Sequence, residues 1–167
     1  MKKLFIVRHA KSGWDDASMA DHARPLNERG MRDAPRMAEH VCKHYAHPQL
    51  LVSSTAVRAR STAEYFAGTF QLPASAVQAT EQIYEADVQT LLDVITNLDN
   101  EVEAVMLVGH NPGVTSLVSY LIPKHFSHMP TCAIAILWFR DAVSWQEIGR
   151  GTGELEAFLY PNGVVEQ

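Results

Sequence analysis

Residues 4–12 read LFIVRHAKS, and this stretch decides the fold. A short, continuous apolar run such as its first four residues is typical of a strand that is buried on both faces of a parallel sheet. Nothing in such a strand requires Arg8 and His9 at its end. Open α/β sheets bind ligands beyond the carboxyl ends of their strands. The two residues are therefore either solvated groups at a strand end or part of a binding site.

Further apolar segments continue an alternation of strand and helix. They predict strands at 50–53, 77–80 and 104–108, and helices at about 27–45, 59–70, 88–98 and 114–121, the first of them capped by Asn27. Pro35 predicts a kink in the first helix or a later start. The most apolar strand, 104–108, should lie at the centre of the sheet. This alternation predicts an α/β fold, a three-layer α/β/α sandwich around a mainly parallel sheet.

The end of the chain has a different pattern. We expect strands at 132–139 and 145–148, joined by a short turn around 140–141 and followed by a tail at 158–160. This hairpin adds at least one antiparallel strand near the C-terminus. A length of 167 residues suits one domain, which we expect to span 1–167.

Composition excludes several classes of protein. A hydrophobic content of 47% with 20% charged residues is that of an ordinary globular chain. No apolar segment reaches the ~20 residues that a membrane helix needs, and the formal net charge of −5 argues against a nucleic-acid partner. Two cysteines without metal-binding spacing suit a reducing cytoplasm, where we expect the protein to act.

Three of the predicted strand ends carry residues suited to a phosphoryl group. Arg8 and His9 follow the first strand, a segment with Arg58 follows the second, and the turn GHNPG at 109–113 follows the central strand. Parallel strands bring these ends to one edge of the sheet. Arginines orient phosphoryl oxygens, an imidazole can attack phosphorus, and backbone N–H groups where helices start, after Ser54 and Asn111, add to an anion site.

Several residues keep two interpretations. His110 by itself could be a hydrogen-bonded core histidine, and Arg60 is expected at the surface because it points away from Arg58. Arg24 either contacts a phosphate or anchors its loop through an ion pair with Asp21. Trp14 is either a lid over the site or a local loop anchor.

The motifs together resemble those of the histidine phosphatase superfamily, the relatives of phosphoglycerate mutase. The resemblance rests on RHAKS at 8–12, on the spacing of Ser54, Arg58, Ala59 and Thr62, and on GHNPG at 109–113. Within that superfamily, KSGW at 11–14 and RPLN at 24–27, with Arg29 and Gly30, are similar to the SixA-type phosphohistidine phosphatases. Ala10 stands where many members have glycine, which requires that its φ is not positive.

The resemblance implies a role for each matching residue. His9 would be the nucleophile, forming a covalent phosphohistidine, while Arg8, Arg58 and His110 would hold the phosphoryl oxygens. Glu85 occupies a position where many members place the acid that protonates the leaving group. Two further candidates for substrate contacts are Ser12 and Asn111.

The resemblance implies neither a cofactor nor a metal. It leaves three hypotheses: a phosphatase, a metallohydrolase that uses His9 and His110, and a non-catalytic module that binds phosphoproteins. The metallohydrolase is disfavoured because arginines beside the histidines would repel a cation. The short connection at 72–100 suggests an open site, suited to phosphohistidine on a protein such as a histidine-containing phosphotransfer domain. A small phosphomonoester is the alternative substrate.

Overall fold

A computed structural model describes residues 1–163. They form one six-stranded sheet in the order β3-β2-β4-β1-β5-β6. The elements in chain order are β1 (Lys2–Arg8), α1 (Glu28–His44), β2 (Leu50–Ser54), α2 (Val57–Phe70), β3 (Val77–Thr80), α3 (Val88–Thr96), β4 (Ala104–Gly109), α4 (Gly113–Leu121), β5 (Ile134–Phe139) and β6 (Glu154–Leu159).

The sheet is mainly parallel, as predicted. Strands β1 to β4 run parallel to one another, whereas β5 pairs antiparallel with β1 and β6 pairs antiparallel with β5. The apolar strand β4 lies between β2 and β1 at the centre, and β3 forms an edge. The predicted α/β class and the positions of β1 to β5 are confirmed.

Helices cover both faces of the sheet. Along β1, Leu4 and Ile6 pack into one cluster of buried residues with side chains of α3 and α4. The alternate residues Phe5 and Val7 pack into a second cluster with α1 and α2. Residues 4–7 of the strand are all apolar because both faces of the sheet are covered there.

The first helix begins and ends close to its predicted bounds. Asn27 caps it by accepting a hydrogen bond from the Gly30 amide, and the helix starts at Glu28 and passes through Pro35 without a break. The expectation of a later start was therefore wrong. A Cβ on Gly30 would lie 2.2 Å from the Lys11 carbonyl oxygen. Only glycine lets the helix approach the loop that follows β1.

The predicted strand at 145–148 was wrong. Trp145–Glu147 forms a 3₁₀ helix with a capping box between Ser144 and Glu147. The Trp145 indole is fully buried and donates to the Val102 carbonyl over 2.8 Å. The strand that pairs with β5 is β6, in the region expected to be a tail. Its acidic residues break the apolar run, and the alternation that they produce is the pattern of an edge strand with one covered face.

Within residues 1–163 no helix combines the length and apolarity needed to cross a membrane.

Candidate active site

The carboxyl ends of β1 and β4 meet at one edge of the sheet, as predicted. The two strands pair in parallel with Arg8 opposite Gly109. The His9 amide donates to the Gly109 carbonyl over 3.0 Å, and the ring centroids of His9 and His110 are 5.1 Å apart. Both histidines are 7% exposed. Residues 101 positions apart in the chain thus share one buried site.

The His9 ring is held by the backbone of the next residue. Its Nδ1 lies 2.7 Å from the Ala10 carbonyl oxygen. Because a carbonyl only accepts hydrogen bonds, Nδ1 carries the ring proton and Nε2 keeps its lone pair. Burial of the ring, together with repulsion from His110 and two nearby arginines, lowers the pKa of His9 to about 3. At neutral pH His9 is an uncharged imidazole whose Nε2 carries no proton. Ala10 has no positive φ, as its side chain requires.

Arg58 reaches His9 from the first turn of α2. Its Nε donates to His9 Nε2 over 3.4 Å. One helical turn later the Thr62 hydroxyl accepts from the Ala10 amide over 2.9 Å and donates to the Arg58 carbonyl over 2.7 Å. The four-residue spacing therefore places Arg58 and Thr62 on one helix face, against the loop that carries the histidine. Arg60 is exposed, as predicted.

His110 is oriented by Ser54 at the end of β2. The Ser54 hydroxyl lies 2.8 Å from His110 Nε2 and accepts from the Ala56 amide over 3.1 Å. Burial, followed by repulsion from Arg58, lowers the pKa of His110 to about 4. Its buried Nδ1 has no hydrogen-bond partner among residues 1–163. The second imidazole is thus also neutral and keeps unused hydrogen-bonding capacity.

Arg8 and Asn111 are both tied to the segment before β5. The Met129 carbonyl accepts from Arg8 Nη1 and from the Asn111 amide, each over 3.0 Å. The amide oxygen of Asn111 accepts from the Thr115 hydroxyl over 2.7 Å. Asn111 therefore has fixed partners at both ends of its side chain. Arg8 keeps a buried Nε that has no partner in the described part of the chain.

The loop after β1 delivers a further arginine to the site. Arg24 is 7% exposed and donates to the Ser12 hydroxyl over 2.8 Å. It also forms the predicted ion pair with Asp21, at 2.9 Å. The Trp14 ring stacks on the Arg24 guanidinium, 3.5 Å from ring centroid to Cζ, while remaining 69% exposed. Arg24 therefore anchors the loop and also lines the site, and Trp14 lies at its rim.

Asp21 and Tyr84 were not singled out by the sequence analysis beyond the possible Asp21–Arg24 pair. The Asp21 carboxylate accepts from Arg58 Nη2 over 3.0 Å and from the Tyr84 hydroxyl over 2.5 Å, while its carbonyl accepts from Arg58 Nη1 over 2.7 Å. The Tyr84 hydrogen bond, then those of Arg24 and Arg58, hold the pKa of the Asp21 carboxyl well below its usual range. The same contact raises the pKa of Tyr84 to about 12. The carboxylate thus joins two arginines, and no local sequence pattern signals its contact with a tyrosine 63 residues away.

The two histidines and the arginines of the site surround a cavity of about 270 Å³, here called the cationic cavity. Four of its lining residues are basic, an arrangement suited to a phosphoryl group. Its lining comprises Arg8, His9, Lys11, Ser12, Trp14, Arg24, Arg58, His110, Asn111 and Thr131.

Glu85 lies outside the cationic cavity. It lines a neighbouring cavity of about 470 Å³, here called the acidic cavity, which shares His110 and Asn111 with the first. Its other lining residues are Ala86, Asp87, Val88, Pro112, Gly113 and Ser116. The structure therefore separates Glu85 from the arginines but keeps it on the other side of His110.

In the described part of the chain, no three His, Cys, Asp or Glu side chains are grouped so that they could hold a metal ion. Arg58 lies beside both histidines of the site and would repel a cation there.

Known proteins share both the sequence pattern and the fold. A family model described as histidine phosphatase superfamily, branch 1, matches residues 4–92. An uncharacterized chloroplastic protein of Arabidopsis thaliana is 30% identical over 176 residues, covering 98% of this chain and 80% of that protein. The structure of a candidate phosphohistidine phosphatase SixA from Agrobacterium tumefaciens is 29% identical with a TM-score of 0.80, covering 96% of this chain and 98% of the other. That of the protein histidine phosphatase SixA complexed with tungstate is 26% identical with a TM-score of 0.80, covering 96% and 97%.

Proposed function

Because this chain belongs to the histidine phosphatase superfamily and is of the SixA type, we propose that it hydrolyses phosphohistidine on a protein through a covalent intermediate on His9. The observation that carries the proposal is the state of this ring. Its Nδ1 proton is held by the Ala10 carbonyl, which leaves Nε2 as an uncharged nucleophile beside Arg58. We further propose that residues 1–167 act as one phosphatase domain in the cytoplasm, where the free thiols of Cys42 and Cys132 persist.

The reaction has two displacement steps. In the first, Nε2 of His9 forms a bond to phosphorus while the bond from phosphorus to the substrate's imidazole breaks, and that imidazole takes up a proton from solvent water. In the second, water attacks the phosphorylated His9, the new P–O bond replaces the P–N bond, and the water releases its protons to solvent and phosphate. Inorganic phosphate leaves and the neutral ring returns.

The surrounding residues would stabilise the phosphoryl charge. Arg8 and Arg58 supply cationic donors, and His110 supplies a neutral imidazole to the equatorial oxygens. Two smaller contacts are assigned to Ser12, through its hydroxyl, and to Asn111, through the backbone where α4 begins. A cluster of this kind supports a metal-independent reaction, because the arginines neutralise the charge on the phosphoryl oxygens, as a metal ion does in metal-dependent phosphatases.

A protein substrate fits the access to the site. The segment between α2 and β4 contains β3, the nine-residue α3, two three-residue 3₁₀ helices and turns, and Trp14 at the rim is largely exposed. A phosphorylated side chain on another protein, such as a histidine-containing phosphotransfer domain, can therefore enter. Attack on phosphohistidine also replaces one P–N bond with another. Its imidazole leaving group therefore needs less help from an acid than an alkoxide leaving group does.

The decisive experiment compares two substrates in one variant. We expect Glu85→Gln to hydrolyse a saturating phosphohistidine protein with a kcat close to that of the wild type, while kcat for an alkyl phosphomonoester falls by about 10²-fold. Ser12→Ala serves as a comparison, because loss of a phosphoryl contact should slow both substrates alike. A wild-type enzyme that strongly prefers a sugar or glycerate phosphate in kcat/KM would replace the protein substrate with the small-molecule alternative.

The same assay tests the requirement for a metal. Activity should survive exhaustive chelation. If chelation abolished turnover and zinc or manganese restored it, the proposed mechanism would be wrong. If the protein bound phosphohistidine proteins without any turnover, it would be a binding module instead.

A further inference from the structure

The two cavities beside His110 have opposite charge. The cationic cavity is lined by Arg8, Lys11, Arg24 and Arg58. The acidic cavity is lined by Glu85 and Asp87 and, within the described residues, by no lysine or arginine. Because they share the wall formed by His110 and Asn111, a molecule whose phosphoryl group reaches His9 has room to extend its remaining part toward the carboxylates.

The backbone holds the two carboxylates at this place. A Cβ on Gly113 would lie 2.2 Å from the Ala86 carbonyl oxygen, so only glycine lets the start of α4 contact the turn before α3. Glu85 has a φ of 52°, a left-handed conformation that is unfavourable for a residue other than glycine. Asp87 caps α3 by accepting from the Thr90 amide over 2.9 Å. The turn is thus fixed by packing against α4, although its conformation is unfavourable for Glu85.

The charge of Glu85 is not neutralised within the protein. Its carboxylate forms no hydrogen bond or ion pair with a side chain of residues 1–163, in contrast to Asp21, which binds two arginines. Asp87 has its backbone cap but no ion pair in this part of the structure. The acidic cavity therefore carries unpaired negative charge, and the His110 ring separates it from the positively charged cationic cavity.

We propose that the acidic cavity binds a lysine or arginine side chain that lies next to the phosphorylated residue of the substrate protein. This inference rests on the proposed function and specifies the substrate further. A basic side chain fits both properties of the cavity, because its methylenes can pack on Ala86, Val88 and Pro112 while its cation meets the carboxylates. An anionic group in the same place would be repelled, which disfavours phosphorylated carboxylic acids.

The test uses three phosphohistidine peptides that differ only in the residues flanking the phosphohistidine, which are lysine, alanine or glutamate. The kcat/KM of the wild type should be about tenfold higher for the lysine than for the glutamate peptide, the size expected of two exposed charge contacts. In the double variant Glu85→Gln/Asp87→Asn the ratio should fall to about one or below, since only the cationic cavity then acts on the flank. Asparagine at 87 keeps the helix cap.

A matched pair of substitutions controls for net charge. Glu64→Gln/Asp141→Asn removes two exposed carboxylates away from both cavities and should keep the tenfold ratio. Raising the salt concentration to about 1 M should reduce the ratio in the wild type, because the screening length then shrinks to ~3 Å. Equal kcat/KM for the three peptides, or a lysine preference that persists in the double variant, would overturn the inference.

Failure of the proposed function gives a different result. In that case none of the three peptides is hydrolysed although a small phosphomonoester is. Phosphoethanolamine and phosphoglycolate, which are similar in length but opposite in charge, then replace the peptides. An ethanolamine preference that the double variant loses would assign the cavity to the cation of a small molecule, and the basic flank of a protein would be rejected.

Discussion

The residues at the strand ends and those on the surrounding loops differ in how they are held. His9, Arg58 and His110 are each at most 7% exposed and hydrogen-bonded to the backbone or to neighbouring buried groups. Trp14 and Glu85 lie on loops with largely exposed side chains. The comparison teaches that the phosphoryl chemistry is built on the rigid edge of the sheet, whereas contacts that select a substrate can change without disturbing the fold.

Removing the nucleophile should have the largest effect on this comparison. His9→Ala should lower the rate by at least about 10⁴-fold, the scale seen when a covalent nucleophile is lost. Turnover of a radiolabelled phosphodonor, quenched part-way, should trap acid-labile and base-stable label on the wild type alone. Label that remains on the variant would place the intermediate on another residue.

Two arginines of α2, the buried Arg58 and the exposed Arg60, allow a direct comparison of the site with the surface. Arg58→Ala should lower kcat by about 10²–10³-fold, because it removes a buried donor to the phosphoryl group. Arg60→Ala, two residues further along α2, should change kcat by less than about twofold. Circular dichroism should show both variants folded. Unfolding of the Arg58 variant alone would show that this residue is structural.

Asp21 lies on the segment after β1 but forms ion pairs with two buried arginines, Arg24 and Arg58. It therefore tests whether a residue outside the strand ends contributes to catalysis. Asp21→Asn should lower kcat by about tenfold, as expected when hydrogen bonds to a charged group are weakened. Its affinity for tungstate should stay equal or rise, because the arginines lose a neutralising charge. Asp16→Asn is the control, since the Asp16 carboxylate accepts its hydrogen bonds from Ser18 in the same loop. Parallel losses of kcat and tungstate affinity would indicate a purely structural residue.

A further prediction concerns the free energy of unfolding, not the rate, as a function of pH. The pKa values of His9 and His110 fall to about 3 and about 4 in the folded protein, whereas an unfolded histidine titrates near about 6.5. The unfolded chain therefore binds more protons between these values, and the free energy of unfolding should rise with pH across that window and level off above it. Urea unfolding at about pH 5, 6 and 7 measures this slope.

Variants assign that slope to the buried histidines. His110→Gln should reduce it by about half, because His9 still contributes, whereas His125→Gln, at an exposed position, should leave it unchanged. A slope that is unchanged in both variants would mean that other groups control the stability in this range.

Much of the site was predictable because its residues follow the ends of apolar strands. The run at 4–7 and the strand at 104–108 each predict a buried parallel strand, and parallel strands with a common direction bring Arg8, His9 and His110 to one edge. The N-cap at Asn27 was equally readable, since capping depends on residues three positions apart.

The misassigned elements depend on contacts between distant parts of the chain. The segment at 145–148 has the composition of a strand, yet Trp145 is buried in the core, where its indole donates a hydrogen bond to the Val102 carbonyl. Likewise the sequence of β6 does not by itself indicate a strand, because its extended conformation depends on antiparallel pairing with β5.

What the sequence by itself determined is therefore the alternation of strands and helices and the three polar strand ends, because burial and chain direction impose short-range patterns on the residues. What only the tertiary structure decided is how the loops complete the site. Asp21 bridges Arg24, Arg58 and Tyr84, and Glu85 lies across His110 from the arginines. Such contacts join residues far apart in the chain, and their geometry follows from the packing of whole elements instead of any local periodicity.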